Sequence, residues 1–185
     1  MPEWMSYSLS DFLMYGEATQ ARLYVRLNEA YPTLRLIGLG LGFGLLATGL
    51  AGRLGRAGLV LLGLIWFWVG YAYFPLYAEI MPWAGWLAAL FYLQGGLLIF
   101  GALRHHRRQV SRRSLPYLLG TVLVVLGTVG YPLIGDQSFG LAPTPTALAT
   151  LGLLLIFRAR LWLSSIPLLW LAFHGLELLA FAQAS

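Results

Sequence analysis

Arg104-His-His-Arg-Arg-Gln-Val-Ser-Arg-Arg113 is the one strongly charged run in a chain of 185 residues that is 59% hydrophobic and 10% charged. Five arginines and no acid within ten residues, set between two long apolar blocks, make the pattern of a loop held on the cytoplasmic side of a membrane. Soluble domains carry roughly 25% charged residues, and a mean hydropathy of +0.73 leaves too little polar surface for one. The expectation is an all-α integral membrane protein in contact with a lipid bilayer. The net charge of +5 sits in short loops between apolar spans, where orientation explains it and nucleic-acid binding does not. The chain has no cysteine, which excludes disulfides, thiolate nucleophiles and cysteine metal ligands.

On either side of the basic run the hydropathy predicts six transmembrane helices, at about Pro32 to Gly52, Ala57 to Phe74, Pro82 to Leu103, Leu115 to Tyr131, Pro145 to Arg158 and Leu161 to Phe181. The fifth offers only about 20 Å of helix against a hydrocarbon layer of roughly 30 Å. Residues 1–31 carry Glu3, Asp11, Glu17, Arg22, Arg26 and Glu29 among Trp4, Tyr7, Phe12 and Tyr15, so they cannot span. They read as an N-terminal amphipathic segment on the membrane surface, with a capping box at Ser8 and Asp11 and a break at Gly16. The chain thus divides into this segment and a six-helix domain over 32–185. The acids all fall at one end of the spans and Arg53, Arg56, the run, Arg158 and Arg160 at the other. In the inner membrane of a bacterium that puts both termini in the periplasm.

In the first span Gly38, Gly42, Gly49 and Gly52 share one helical face while Gly40 and Gly44 lie opposite. That suits a central helix packed on both sides, or reflects only the commonness of glycine in membrane helices. Trp66, Trp68, Tyr71, Tyr73 and Tyr77 read as an aromatic belt at the outer interface.

A shift of 57 residues lays the second and third spans on the fourth and fifth without a gap. Phe74-Pro-Leu-Tyr-Ala-Glu79 overlies Tyr131-Pro-Leu-Ile-Gly-Asp136, Leu97-Leu-Ile-Phe100 recurs as Leu154-Leu-Ile-Phe157, and Gly63, Gly70 and Gly95 meet Gly120, Gly127 and Gly152. Such a pattern predicts a parallel duplication of a two-helix hairpin about an axis along the membrane normal, with Glu79 and Asp136 as counterparts at the outer mouth.

Trp4 with Tyr7-Ser-Leu-Ser-Asp-Phe-Leu13, and Phe139-Gly-Leu-Ala-Pro-Thr-Pro-Thr146 leading into Thr150-Leu-Gly-Leu-Leu154, resemble an uncharacterised family of bacterial membrane proteins known as domain of unknown function 6064. The resemblance implies a multi-span fold and brings no activity. Where that family carries a cysteine between two prolines, this chain has Thr144, which removes the thiolate on which a metal or redox role would hang.

Candidate polar sites are few. Pro143-Thr-Pro-Thr146 starts a helix, with Thr144 placed to cap it and Pro145 at the first helical position; a helix start within a short span is also where transporters present a positive dipole end, so Thr144 and Thr146 are candidate binding residues. On the last span Pro167, Trp170, His174 and Glu177 share a face, and Pro167 is expected to loosen the helix. His174 and Glu177 fall in its outer third, either facing a vestibule shared with Glu79 and Asp136 or paired at the interface. A carboxylate one turn away favours the protonated imidazole, and burial favours the neutral one. Gln94, near mid-membrane, is an interhelical hydrogen-bonding group or a ligand contact. No catalytic motif occurs, and His105 and His106 cannot reach His174 to hold a haem, so neither an enzyme nor a cofactor is expected. Two functions fit: a small-solute or ion transporter, or a subunit of one, with an outward-facing polar vestibule; and an accessory or scaffold subunit that packs a protein partner or a second copy on its glycine faces.

Overall fold

The computed structural model describes residues 15–51, 55–104, 114–134 and 136–184. The helix expected at Ser8, together with Gly52, Arg53 and the basic run beyond Arg104, lies outside the described residues. Among the described residues seven α-helical segments follow in order: α1 Glu17–Ala30, α2 Pro32–Leu50, α3 Arg56–Tyr77, α4 Ala84–Leu103, α5 Leu115–Ile134, α6 Pro143–Ile156 and α7 Ser165–Ala184. Among the described residues there is no strand. Five segments (α2, α3, α4, α5, and Leu161–Gln183, which holds all of α7 but its last residue) are long and apolar enough to cross a membrane, and α6, at 14 residues, is not. The break at Gly16 is present as the residue before α1.

Two helical hairpins dominate the packing, each closed along a pair of glycines. A methyl group added at Gly63 would meet the Gly95 carbonyl and the Ile99 side chain, each at 2.8 Å; one added at Gly95 would meet the Gly63 carbonyl at 2.8 Å and the Phe67 ring at 3.1 Å. Between α5 and α6 the same approach recurs 57 residues later. Gly120 faces the Gly152 carbonyl at 2.6 Å and Ile156 at 2.8 Å, while Gly152 faces the Gly120 carbonyl and Val124. Two turns on, Gly70 abuts the Ala88 carbonyl and Tyr92, and Gly127 abuts the Pro145 carbonyl and Ala149. Small residues let helix backbones approach this closely where neither lipid nor water drives association.

The hairpins differ in wrapping. Twelve of the fourteen residues of α6 are buried, which makes α6 the central helix. In α2, by contrast, only Gly38, Gly42, Leu45 and Gly49 are buried, nothing lies within 4 Å of a methyl at Gly40 or Gly44, and Leu36, Ile37 and Phe43 are exposed. The two-sided glycine pattern of α2 is therefore not a central position; only one of its faces packs. α6 stops at Ile156 because Arg158 adopts φ 44° and the chain closes with Ala159 N donating to the Leu154 carbonyl at 2.9 Å. That left-handed conformation costs a non-glycine residue about 1–2 kcal/mol.

Three local expectations are corrected. Trp66, Tyr73 and Tyr77 are interior residues, 0%, 1% and 1% exposed, because their face of α3 turns toward α1, α4 and α7; of the five, Tyr71 is exposed and Trp68 half-buried. Pro167 sits in the first turn of α7, directly after the turn Leu161–Ser164 and not in the body of the helix, where its missing N–H costs nothing. α6 begins at Pro143 after Ala142, without a side-chain cap, so Thr144 is inside the first turn.

Candidate functional site

α1 lies across one end of the bundle. Its buried residues Gln20, Leu23, Tyr24 and Leu27 fall at the spacing of a single amphipathic face, and its outer residues tie it down at two places. Arg26 pairs with Glu79 at 3.5 Å, and Asn28 donates to the Asp136 carbonyl. The described acids, Glu17, Glu29, Glu79, Asp136 and Glu177, are thereby on or beside α1 at this end. Arg56 opens α3, Arg104 follows α4, and Arg158 and Arg160 follow α6, which places them at the other end of the two hairpins.

Glu177 is the hub of a buried polar cluster and is 4% exposed. Tyr15 donates its hydroxyl to one carboxylate oxygen; Gln20 Nε2 donates to the other at 3.2 Å, and His174 Nδ1 lies 3.1 Å from the same oxygen. A buried carboxylate persists only when its lone pairs are met by donors, and here three side chains from two distant stretches of sequence do so. Tyr73 and Tyr77 stack behind at 3.8 Å between centroids, and Tyr77 meets Tyr24 and Tyr15 edge to face. Burial pushes the Tyr15 hydroxyl well above its ordinary range, and the Glu177 charge pushes it further. Tyr24 is raised by burial as well. Both stay protonated through the physiological range, so Tyr15 remains a donor.

Beside this cluster opens a cleft of about 640 Å³ between α1, the end of α5, the following loop and α7. Its polar lining comes from Glu17, Gln20 and Tyr24 of α1, Asp136 and Gln137 of the loop, and His174 of α7. His174 forms its buried wall at 6% exposed, with Glu177 directly behind.

The structure separates the remaining candidates from this cleft. Glu79 is held outside by Arg26. Thr144, fully buried, accepts a hydrogen bond from Trp170 Nε1 at 3.1 Å, so it fastens α7 to α6. Thr146 accepts from Gly140 N at 3.0 Å and donates to the Ala142 carbonyl at 2.7 Å. It organises the buried turn Ser138 to Ala142, on whose Phe139 carbonyl Gly38 of α2 rests. Irregular backbone is tolerated inside a membrane protein only where protein covers it, and this turn is covered. Gln94 is sealed, with Nε2 donating to the Leu163 carbonyl at 2.9 Å; it joins α4 to the turn before α7. No group of three or more His, Asp or Glu that could hold a metal occurs among the described residues.

Residues 33–182 match a family described as Family of unknown function (DUF6064). The chain belongs to it. No curated protein and no solved structure matches the chain. The DUF6064 match contains the Phe139 to Thr146 stretch, whose part in the fold is the buried turn and the start of α6. It stops short of α1 and of Trp4 to Leu13, and the latter lie outside the described residues as well.

Sequence reasoning missed Tyr15, Gln20, Tyr24, Glu17 and Gln137. The Gln20, Leu23, Tyr24, Leu27 spacing marks the face on which α1 docks, and a glutamine within an otherwise apolar face was the available signal.

Proposed function

We propose that this DUF6064 protein is a multi-span protein of the bacterial inner membrane whose periplasmic cleft binds a small solute or ion, acting as a transporter or as a subunit of one. The cleft ending on a buried, carboxylate-backed histidine carries this reading: ionisable residues inside a membrane protein are rare and line cavities or pathways, and a cleft with convergent polar groups is the default binding-site hypothesis. Both termini are periplasmic and the Arg104–Arg113 run is cytoplasmic; the separation of acids from arginines along the hairpins supports that orientation. The hairpins α3–α4 and α5–α6 descend from a parallel duplication, supported by matching contacts at Gly63/Gly120, Gly95/Gly152, Gly70/Gly127 and Ile99/Ile156.

A second reading, an accessory or scaffold subunit, draws on two observations. Gln94 is sealed away from the cleft, and an apolar groove of about 180 Å³ runs between α2 and α3 beside Leu34, Ile37 and Trp68. Ala21, an exposed residue in the cleft wall, separates the readings. Small cationic, neutral and anionic solutes are screened for a rise in Tm of the purified protein, with Ala21→Trp as the blocked form. The binding reading expects a rise in the parent and none in the variant for at least one charge class; no rise with any class contradicts it and leaves the accessory role.

A further inference from the structure

We infer that the cleft takes a small organic cation bearing N–H donors, an alkylammonium, with His174 Nε2 as the acceptor on its floor. The inference rests on the binding-cleft reading above and names its ligand class. Charge points one way: the rim carries the carboxylates of Glu17 and Asp136, both exposed, and among the described residues no arginine lines it, in a chain with twelve basic residues. An anion would meet like charge there, and a neutral solute would leave the rim charge unused.

Hydrogen-bond chemistry points the same way. Gln20 Nε2 and His174 Nδ1 are both committed to Glu177. In its neutral form an imidazole that donates Nδ1–H to a carboxylate keeps a lone pair at Nε2, and His174 is 6% exposed and lines the cleft wall. Gln137 Oε1 is buried without a partner. The Tyr24 hydroxyl, also in the lining, is likewise buried without a partner and can accept as well as donate, so a ligand that brings donors can satisfy each of these atoms. Tyr24 and Tyr131 add aromatic surface to the walls, which attracts cations. A bare metal ion is disfavoured, because no metal-binding group of three occurs among the described residues. A volume of about 640 Å³ lies within the range of roughly 300–1,000 Å³ typical of small-molecule sites.

The test is calorimetric titration of the full chain in lipid nanodiscs at neutral pH, with empty nanodiscs subtracting partition into lipid. The probes are n-butylammonium, n-butanol, butyrate and tetramethylammonium. Butylammonium is expected to bind, with butanol and butyrate silent over the same range and tetramethylammonium about tenfold weaker for want of N–H donors. Asp136→Asn and Glu17→Gln should each weaken butylammonium about two- to fivefold, whereas Glu29→Gln, on the outer face of α1, should not. If butyrate or butanol binds as tightly and is lost in Ala21→Trp, the cation class is overturned while the cleft stands. Equal binding of tetramethylammonium overturns the role of Nε2, and insensitivity to both rim variants overturns the charge argument. If no probe binds, the cation inference and the cleft reading fall together.

Discussion

Along their seams α3–α4 and α5–α6 are nearly interchangeable, with glycine against glycine, an isoleucine one turn beyond, and a second glycine against a carbonyl two turns on; at their outer ends they part. The first hairpin ends in Glu79, exposed and paired with Arg26. At the corresponding place the second ends beside Asp136, at the rim of a cleft, and its connection turns inward as the buried stretch Ser138 to Ala142. Seam geometry is set by close backbone approach and tolerates almost no change, whereas the connecting loops are free of that constraint and differ. A polar site therefore sits at one hairpin end and not at the other.

The largest effect is expected at the seam. In Gly152→Ala the added methyl meets two backbone atoms, the Gly120 carbonyl and Val124 N, the latter at 2.7 Å, whereas in Gly95→Ala it meets one, the Gly63 carbonyl at 2.8 Å, and otherwise the Phe67 ring at 3.1 Å. Thermal unfolding in detergent should show a loss of about 3 kcal/mol for the first and nearer 1 kcal/mol for the second. Gly40→Ala, with open space around it, should be neutral or slightly stabilising. Equal losses at all three positions would show that the seams are not what holds the hairpins.

Next in size is the cluster under the second hairpin's cleft. His174→Leu combined with Glu177→Leu leaves the Tyr15 hydroxyl and Gln20 amide without their buried acceptor, at about 1–3 kcal/mol for an unmet group. Hydrogen exchange in α1 should accelerate while that in α4 stays unchanged. An unaltered α1 would reduce the pair to interfacial decoration.

A smaller effect follows pH. Tyr15 and Tyr24 hold their protons more tightly folded than unfolded, so the stability they contribute is fully present below about pH 10 and is lost as pH rises above it toward their raised folded values. The protection of α1 amides, corrected for the base-catalysed intrinsic exchange rate, should be flat from neutral pH to about 9 and fall beyond. A fall beginning near neutrality would contradict the burial of these hydroxyls. Smallest of all is Glu79→Gln, where an exposed pair at 3.5 Å should change stability by less than about 1 kcal/mol.

The hairpins were legible in the sequence because their seam glycines recur at one fixed offset, and the His174–Glu177 pair because residues three apart on a helix share a face. What surrounds them was not legible. Tyr15 lies 162 positions from Glu177, and nothing local to either announces the contact. α6, and not α2, takes the central place because glycine counts alone do not say which face is covered: the small threonines and alanines of α6, not the glycines of α2, allow burial on all sides. Thr144 and Thr146 read as binding residues from their place at a helix start, yet each is occupied by a neighbour, Trp170 or the turn at Gly140.

The most direct test of a site at one hairpin end only uses the absence of native cysteine. Single cysteines at Ile134, in the cleft, and at Ala78, exposed at the end of α3, are labelled from the periplasmic side with an impermeant thiol reagent, with and without n-butylammonium. Both positions should label, and the amine should slow labelling at 134 while leaving 78 unchanged. Labelling of either position only from the cytoplasmic side, or equal rates at 134 with and without the amine, would contradict the account.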